Sequence, residues 1–251
     1  MLTALSPSTM TCKTQVLIRG LADIVFPPRC TLCGSMIRQG RPVFCLTCLS
    51  GITAIGSPLC TVCGLPFADS GGTDHLCGDC IASPPPFRVA RALGVYEAAL
   101  LDAIHLFKYN GNMTVGKELG RMMAACDYNA FDIGAYSLVV PVPLHPRRLR
   151  KRGFNQALVL ARQIGHRFSV PLDFTTLIRD VDTGPQVNLG KSERDRNVRG
   201  AFAVTRRDTI DDRKVLLVDD VYTTGSTVRE CAGALRAGGA REVAVLTLAR
   251  A

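Results

Sequence analysis

Hydrophobic and polar positions in the second half of the chain predict strands that alternate with helices. Apolar runs of strand length lie at 137–143, 172–178, 201–204, 214–219 and 242–248. Helical spacing of apolar residues occupies 96–109, 115–126, 156–168 and 228–237. Strands and helices that alternate along a chain are typical of a parallel sheet, because the helices cross over between neighbouring strands. We therefore expect an open, mostly parallel α/β sheet.

The stretch from Val215 to Thr227 is the most informative part of this pattern. Its apolar residues predict a buried strand, and two acids, Asp219 and Asp220, follow before helical spacing begins. Small and hydroxyl-bearing residues lie between the acids and the helix, namely Thr223, Thr224, Gly225, Ser226 and Thr227. Loop amides and a helix N-terminus together attract anions, phosphate above all. The stretch therefore predicts a phosphate-binding loop beside two carboxylates.

The first third of the chain carries a second kind of pattern, built from cysteines. Eight of the eleven cysteines form four Cys-x-x-Cys pairs: Cys30, Cys33, Cys45, Cys48, Cys60, Cys63, Cys77 and Cys80. The motif Cys-Thr-Leu-Cys-Gly at 30–34 returns as Cys-Thr-Val-Cys-Gly at 60–64, which indicates an internal repeat. Two such pairs close a structural Cys₄ zinc site with no open coordination position. The sequence therefore predicts two structural Zn²⁺ sites in zinc ribbons.

The pairing of these cysteines has more than one solution. Sequential pairing (30/33/45/48 and 60/63/77/80) is the simplest, and a cross-braced arrangement is the alternative. His75, two residues before Cys77, is a weaker candidate ligand. Redox dithiols or disulfides are the competing interpretation, but no thioredoxin-like βαβ context surrounds the pairs.

A proline-rich segment divides the chain into domains, and the net charge limits the kinds of partner that it can bind. The prolines at 84–86 form a stiff spacer, which predicts an N-terminal tail and short helix at 1–26, a double zinc ribbon at 27–83 and an α/β domain at 88–251. A formal net charge of +9 favours anionic partners such as nucleotide phosphates, pyrophosphate or nucleic acid. No apolar run reaches membrane-spanning length and no signal-peptide pattern opens the chain, so we expect a cytoplasmic protein.

Two polar segments lie where ligands gather in an open α/β sheet. Five of the six residues at 147–152 are basic, and they follow a predicted strand and precede a helix. A solvated face or a nucleic-acid patch is the ordinary explanation of such a run, but its position near the phosphate loop favours an anion site. The long polar stretch at 179–200 is typical of a lid or binding loop.

These motifs together resemble a known family. Residues 215–227 resemble the phosphoribosyl-pyrophosphate (PRPP) loop of type I phosphoribosyltransferases, although Tyr222 stands where that pattern usually has an aliphatic residue. The cysteine-rich front and three further motifs (Pro-Val-Pro-Leu, Arg-Gly-Phe-Asn-Gln-Ala and Asn-Val-Arg-Gly-Ala-Phe) resemble the ComF (competence protein F) family over about residues 20–250. The resemblance implies an open sheet of the type I phosphoribosyltransferase kind, preceded by a double zinc ribbon.

The resemblance also implies roles for particular residues. The 5-phosphate of PRPP would lie on the loop at 223–227, and Asp219 and Asp220 would hold ribose hydroxyls and support Mg²⁺ bound with PRPP. The segment after Val142 would face pyrophosphate, and the 179–200 loop would close over the substrate. The candidates for neutralising pyrophosphate are Arg147, Arg148, Arg179 and Lys191.

Three functions fit these features. The first is a PRPP-dependent phosphoribosyltransferase, in which case no Ser/His/Asp or Cys/His nucleophile is needed. The second is a non-catalytic accessory protein for DNA uptake or processing, which uses the ribbons and the basic segment to contact single-stranded DNA or DNA-processing proteins. The third is a zinc-ribbon regulator that binds a partner protein.

Overall fold

The computed structural model describes residues 26–37, 43–68, 71–128, 131–182 and 196–251. The chain divides into two compact units, Met1–Ser50 and Gly51–Ala251. The first cysteine cluster belongs to the first unit, and the second cluster lies in the same unit as the α/β domain. Among the described residues, no helix has the length and apolar character needed to cross a bilayer.

A four-stranded parallel sheet is the centre of the second unit. Its strands are β1 (Val89–Val95), β2 (Leu138–Pro141), β5 (Lys214–Tyr222) and β6 (Glu242–Arg250). They lie side by side in the order β1-β6-β5-β2, and every neighbouring pair is parallel. The four apolar residues at 215–218 of β5 are fully buried, as a strand needs when both faces of its sheet are covered. The predicted mostly parallel α/β sheet is confirmed.

Two predicted strands lie outside this sheet. Strand β3 (Leu177–Arg179) and strand β4 (Phe202–Val204) form a separate antiparallel pair, so their placement in an alternating parallel sheet was wrong. Only the end of the predicted 172–178 run is a strand, and Leu172 makes an isolated parallel bridge to Val139 of β2. Strand β1 was not predicted, because Arg91 interrupts its apolar run.

Helices occur in both units, and those of the second unit pack on the sheet and connect its strands. They are α1 (Leu46–Ser50), α2 (Gly78–Ala82), α3 (Ala98–Tyr109), α4 (Met113–Ala125), α5 (Pro146–Arg152), α6 (Gln156–Phe168) and α7 (Ser226–Ala237). Side chains cap α4 and α6, where Asn112 Oδ1 accepts from the Val115 amide at 3.1 Å and Asn155 Oδ1 accepts from the Leu158 amide at 3.4 Å. Short 3₁₀ turns lie at Ile133–Ala135 and Arg207–Thr209.

The core of the second unit includes the second cysteine cluster. Val215 and Leu217 of β5 share one buried cluster with Val228 and Leu235 of α7 and with all four cysteines between 60 and 80. The cluster lies on the face of the sheet that α7 covers. This part of the ribbon therefore extends the hydrophobic core of the α/β domain.

Candidate phosphate-binding and metal sites

The predicted phosphate loop joins the end of β5 to the start of α7. Gly225 is the N-cap of α7 and has φ +80°, a left-handed conformation that glycine adopts without strain. A Cβ atom at this position would lie 2.4 Å from the Tyr222 hydroxyl oxygen, so glycine is also required by space. The Thr224 and Ser226 hydroxyls are 2.7 Å apart and hydrogen-bond to each other. The loop thus presents hydroxyls and a helix N-terminus to the same region.

The two acids at the end of β5 are held in different states. Asp219 Oδ1 accepts a hydrogen bond from the Asp220 amide at 2.8 Å. Burial, with the charge of Asp220, raises the pKa of Asp219 to about 7. Asp220 instead pairs with Lys108 of α3, whose Nζ lies 3.0 Å from Asp220 Oδ2. Burial alone would lower the pKa of Lys108, but the charge and hydrogen bond of Asp220, together with the charge of Asp219, raise that pKa.

Lys108 is a site residue that the sequence interpretation missed. It lies four positions after the fully buried Ile104 on α3, and therefore on the helix face that packs inward. A lysine at a core-facing helical position needs an acidic partner, because burial penalises its charge. The position of Lys108 on the inward face of α3 is the sequence feature that could have identified it as a site residue.

The basic segment is a helix rather than the predicted loop. Helix α5 begins at Pro146, and His145 Nδ1 accepts from the Arg147 amide as an N-cap at 3.4 Å. Arg147 projects from the protein with 73% of its side chain exposed, and its guanidinium lies 3.1 Å from Asp182 Oδ2. His145 Nδ1 lies 3.4 Å from the other oxygen of Asp182. Asp182 therefore links α5 to the beginning of the long polar segment.

Arg148 of α5 and Arg179 of β3 lie close enough for their charges to interact, and Arg179 also lies near Asp219. Burial lowers the pKa of Arg148, although the charge of Asp182 opposes this effect. Arg179 of β3 is buried over the Phe202 ring at 5.3 Å, and burial followed by the charge of Arg148 lowers its pKa, which Asp219 opposes. Residues from α5, β3 and β5 therefore lie close enough for their charges to act on one another. Lys191 lies outside the described residues.

The eight cysteines form two tetrads with the predicted sequential pairing. Within each tetrad (Cys30/33/45/48 and Cys60/63/77/80), one sulfur atom from each residue lies within 4.8 Å of all the others. The Cys30–Cys48 and Cys33–Cys45 sulfurs are 3.7 Å apart, and the Cys63–Cys77 sulfurs are 3.6 Å apart. Tetrahedral zinc with Zn–S bonds of about 2.3 Å needs sulfurs about 3.8 Å apart. Both tetrads therefore fit Zn²⁺.

Backbone amides donate to cysteine sulfurs in both tetrads and lower the pKa of Cys45 and Cys60, whereas burial raises the pKa of Cys48, Cys63 and Cys80. The Cys48 amide donates to Cys45 Sγ at 3.4 Å, and this hydrogen bond is the main reason that the pKa of Cys45 falls to about 6. Burial alone would raise the pKa of Cys60, but amides of Cys77 and Cys63 outweigh it and bring that pKa to about 6. Thiolates are the form that binds zinc. His75 is not part of either tetrad and stacks on Phe67 with ring centroids 4.0 Å apart.

Comparison with known proteins identifies the family. A double zinc ribbon domain matches residues 21–81, and a phosphoribosyl transferase domain matches residues 152–251. The DNA utilization protein YhgH of Escherichia coli K12 is 32% identical, over 90% of this chain and 99% of that protein. Competence protein F of Haemophilus influenzae is 30% identical, over 89% of this chain and 97% of that protein.

The chain belongs to the competence protein F family. Competence protein ComFC of Bacillus subtilis is a more distant relative, 25% identical over 88% of this chain and 94% of that protein. The family resemblance predicted from the cysteine pairs and the phosphate loop is confirmed, and so are the double zinc ribbon and the phosphoribosyltransferase domain.

Solved structures similar to this family member include an amidotransferase and a phosphoribosyltransferase. One is a glutamine PRPP amidotransferase from B. subtilis, 23% identical, which matches 53% of this chain and 25% of that chain with a TM-score of 0.36. The other is orotate phosphoribosyltransferase from Aeropyrum pernix, 20% identical, which matches 57% of this chain and 62% of that chain with a TM-score of 0.30. The assignment of the fold rests instead on the strand order of the sheet and on the two matching domain families.

The second tetrad of this family member borders the phosphate loop. A cavity of about 410 Å³ has walls from Cys63 and Cys80 on one side and from Thr224 and Ser226 on the other. Arg250, the last residue of β6, also lines this cavity. The second tetrad and the phosphate loop therefore line the same cavity.

Proposed function

We propose that this protein binds PRPP with Mg²⁺ at the carboxyl ends of β2 and β5, and transfers the phosphoribosyl group to a nucleophilic acceptor. The observation that supports it most is the proximity of the phosphate loop, the two acids of β5, half-buried Arg148 of α5 and buried Arg179 of β3. Anionic and polyhydroxyl groups of one ligand would find complementary partners there. The matching phosphoribosyl transferase domain supports the same conclusion.

The phosphate loop would hold the 5-phosphate. Thr223, Thr224, Gly225, Ser226 and Thr227 offer amides and hydroxyls at the positive end of α7. The closely fitted Gly225 keeps this backbone next to Tyr222, so the loop has little freedom to lose when an anion binds.

The two acids would hold the ribose. Carboxylate oxygens of Asp219 and Asp220 would accept hydrogen bonds from its hydroxyls. Mg²⁺ prefers carboxylate, phosphate and water ligands, and it would add positive charge beside the leaving pyrophosphate. Lys108 would hold Asp220 in place until the ligand arrives, since the two side chains form a largely buried ion pair.

The arginines would neutralise pyrophosphate as it leaves. Arg148 and Arg179 would face this charge. Burial and then the charge of Arg148 lower the pKa of Arg179, and an anion between the two arginines would relieve the second effect. Arg147 pairs with Asp182 and would contribute after that contact opens. We also assign Lys191 of the long polar segment to this group. Catalysis would then consist of positioning, charge neutralisation and exclusion of water.

Titration calorimetry with PRPP and Mg²⁺ tests the proposal. The native protein should bind PRPP, with affinity that depends on Mg²⁺, and Asp220→Asn should weaken binding at least tenfold, equal to about 1.4 kcal/mol. Asp212→Asn is the matched control, because its side chain is 79% exposed and lies outside this site. Absence of binding by the native protein at millimolar PRPP would refute the proposal.

The pH dependence of binding provides a second test. Asp219 must lose its proton to hold Mg²⁺, and its pKa of about 7 means that it is increasingly protonated below neutrality. Affinity should therefore fall from pH 8 to pH 6, by up to about tenfold per unit below the pKa. Asp219→Asn should bind weakly and lack this step, which separates Asp219 from titration of the ligand's own phosphates. Parallel curves for the two proteins would contradict the assigned role.

Binding to single-stranded DNA is a second candidate function, supported by α5. Arg147, Arg150 and Lys151 are exposed on this short helix and make a basic surface. The printed names of relatives also refer to DNA utilization and competence. Contacts to phosphates would make the affinity fall steeply with salt.

Fluorescence anisotropy with a labelled oligo-dT tests this candidate. The double variant Arg150→Glu/Lys151→Glu should lose most DNA affinity and flatten its salt dependence, while PRPP binding stays unchanged. Arg121→Glu, at an exposed arginine on α4, is the control for a change of surface charge alone. Equal DNA affinity in both variants would exclude α5 as the contact surface.

A further inference from the structure

Arg250 connects the second cysteine tetrad to the phosphate loop. One nitrogen of its guanidinium lies 3.7 Å from Cys63 Sγ, and the other lies 3.3 Å from the Thr223 carbonyl oxygen. The side chain is buried, at 8% exposure, and its charge lies 3.8 Å above the centre of the Tyr222 ring. One residue thus contacts a metal ligand and the first residue of the loop at the same time.

The sheet register fixes this arrangement. Tyr222 and Arg250 are paired at the ends of β5 and β6. Tyr222 carries the contact onward, because its hydroxyl packs so closely against Gly225 that a Cβ there would lie 2.4 Å away. The edge of the Tyr222 ring packs on buried Phe87, with centroids 6.4 Å apart. The path from Cys63 to the N-cap of α7 therefore consists of buried contacts.

A second contact joins the ribbon to α7 itself. Arg229, in the first turn of α7, donates to the Ser83 carbonyl oxygen at 2.9 Å. Ser83 directly follows α2, the short helix that contains Cys80. On the other side, the Cys60–Gly64 turn is fixed to β1, where the Ala90 amide donates to the Val62 carbonyl at 2.6 Å. The second tetrad is therefore attached both to α7 and to β1.

From these contacts we propose that Arg250 is a positioning residue, through which the metal-loaded second tetrad holds the phosphate loop in its binding conformation. A zinc ion with four thiolates carries a net negative charge, and a guanidinium beside one sulfur offsets it. Partners outside the metal ligands commonly change metal affinity about 10–100-fold. A planar guanidinium can contact Cys63 and Thr223 at once, whereas a lysine ammonium cannot span both. The proposal rests on the proposed function, in which the loop binds phosphate. It adds that the second tetrad, through Arg250, stabilises the conformation in which the loop binds.

Hydrogen exchange of the full chain, followed by mass spectrometry, tests the coupling without any ligand. Arg250→Lys keeps the charge and all eight cysteines, so zinc content should stay at two ions per chain. Exchange should nevertheless rise about tenfold in peptides that contain the 223–227 amides, with smaller changes elsewhere. Arg250→Gln should raise loop exchange further. Arg121→Lys, at an exposed arginine, should leave the loop unchanged.

Two further measurements separate positioning from general destabilisation. PRPP affinity should fall about five- to tenfold in Arg250→Lys, while the melting midpoint of the second unit shifts by only a few degrees. Cys33→Ser, which disrupts the first tetrad alone, should leave exchange of the loop as it is in the native protein. Loop exchange within twofold of native in both Arg250 variants would overturn the proposal, and so would an equal loop response to Cys33→Ser. Loop exchange that follows Arg250 in a protein that does not bind PRPP would uphold the coupling and refute only the proposed function.

Discussion

The two cysteine tetrads share a local structure but differ in their surroundings. In both, the amide of the residue after the first cysteine donates across the ribbon: Thr31 to the Val43 carbonyl at 3.0 Å, and Thr61 to the His75 carbonyl at 3.1 Å. The amides of Gly34 and Gly64 likewise donate to the carbonyl of the first cysteine. The hydrogen-bonding pattern therefore repeats along with the sequence.

Burial separates the two tetrads. In the first, Cys33 is exposed and Cys45 and Cys48 are partly exposed, whereas all four cysteines of the second are buried. The second tetrad belongs to the hydrophobic core that also contains β5 and α7. A small ribbon buries too little apolar surface to fold well alone, so its metal supplies much of its stability. The second ribbon has the α/β core in addition, and that core depends on it in return.

The largest expected difference concerns the loss of one ligand. Cys48 and Cys80 occupy the same position in the repeat, so Cys48→Ser and Cys80→Ser are matched variants. Each should lower zinc content by about one ion per chain. Only Cys80→Ser should destabilise the second unit, by about 3–6 kcal/mol, a fraction of the ~10–16 kcal/mol that structural zinc provides. Calorimetry of the thermal transition would show a fall of roughly 10 °C in the melting midpoint. Equal transitions in the two variants would mean that the tetrads do not differ in role.

Removal of zinc by a chelator should occur in two phases. The first tetrad has exposed sulfur and opens locally, while release from the second requires opening of a packed core. We expect rates that differ by about tenfold or more, followed with a colorimetric zinc indicator. Cys48→Ser should show the slow phase alone, which assigns the fast phase. A single phase for two zinc ions in the native protein would contradict the comparison.

The matched glycines of the repeat should respond differently to alanine. Gly34 and Gly64 have φ +72° and +69°, so alanine costs about 1 kcal/mol at each from backbone strain. At Gly34 the new methyl group meets nothing within 4 Å, whereas at Gly64 it would lie 2.6 Å from the Ala90 carbonyl oxygen of β1. Gly64→Ala should therefore cost about 2–4 kcal/mol, measured as chemical unfolding of the second unit. Gly34→Ala should leave that transition where it is.

The smallest effect concerns the stacked pair of the second ribbon. His75 stacks on Phe67, and Val43 takes the equivalent place in the first repeat. His75→Val should cost less than about 1 kcal/mol, because it removes one aromatic contact at an exposed position. Zinc content should remain at two ions per chain. Loss of zinc from this variant would mean that His75 acts on the metal rather than on ribbon packing.

Local features of the site were predictable from sequence. The grouping of the cysteines into Cys-x-x-Cys pairs follows from their short spacing, since ligands three positions apart lie on one turn. The spacing favours sequential pairing without excluding the cross-braced alternative. The phosphate loop was equally clear, because Gly225, its hydroxyl-bearing neighbours and the preceding strand are contiguous. Each of these motifs carries its own geometry.

Features that depend on distant packing were not predictable in the same way. Lys108 meets Asp220 across more than a hundred residues, and no local signal names its partner. The basic run at 147–152 hides a helix, because its charges leave no apolar face to recognise. Strands β3 and β4 pair only with each other, and an apolar run does not show which sheet it will join.

The negative charges of the two acids of β5 are balanced within the protein. Near neutral pH, Asp219 holds a proton for part of the time and Asp220 holds Lys108, so little net negative charge remains at the strand end. An arriving cation would exchange with these internal partners rather than simply add to an exposed negative site. Such an exchange releases few ions to the solvent. The affinity for a ligand at this site should consequently depend far less on ionic strength than the affinity of an anion for the exposed arginines of α5.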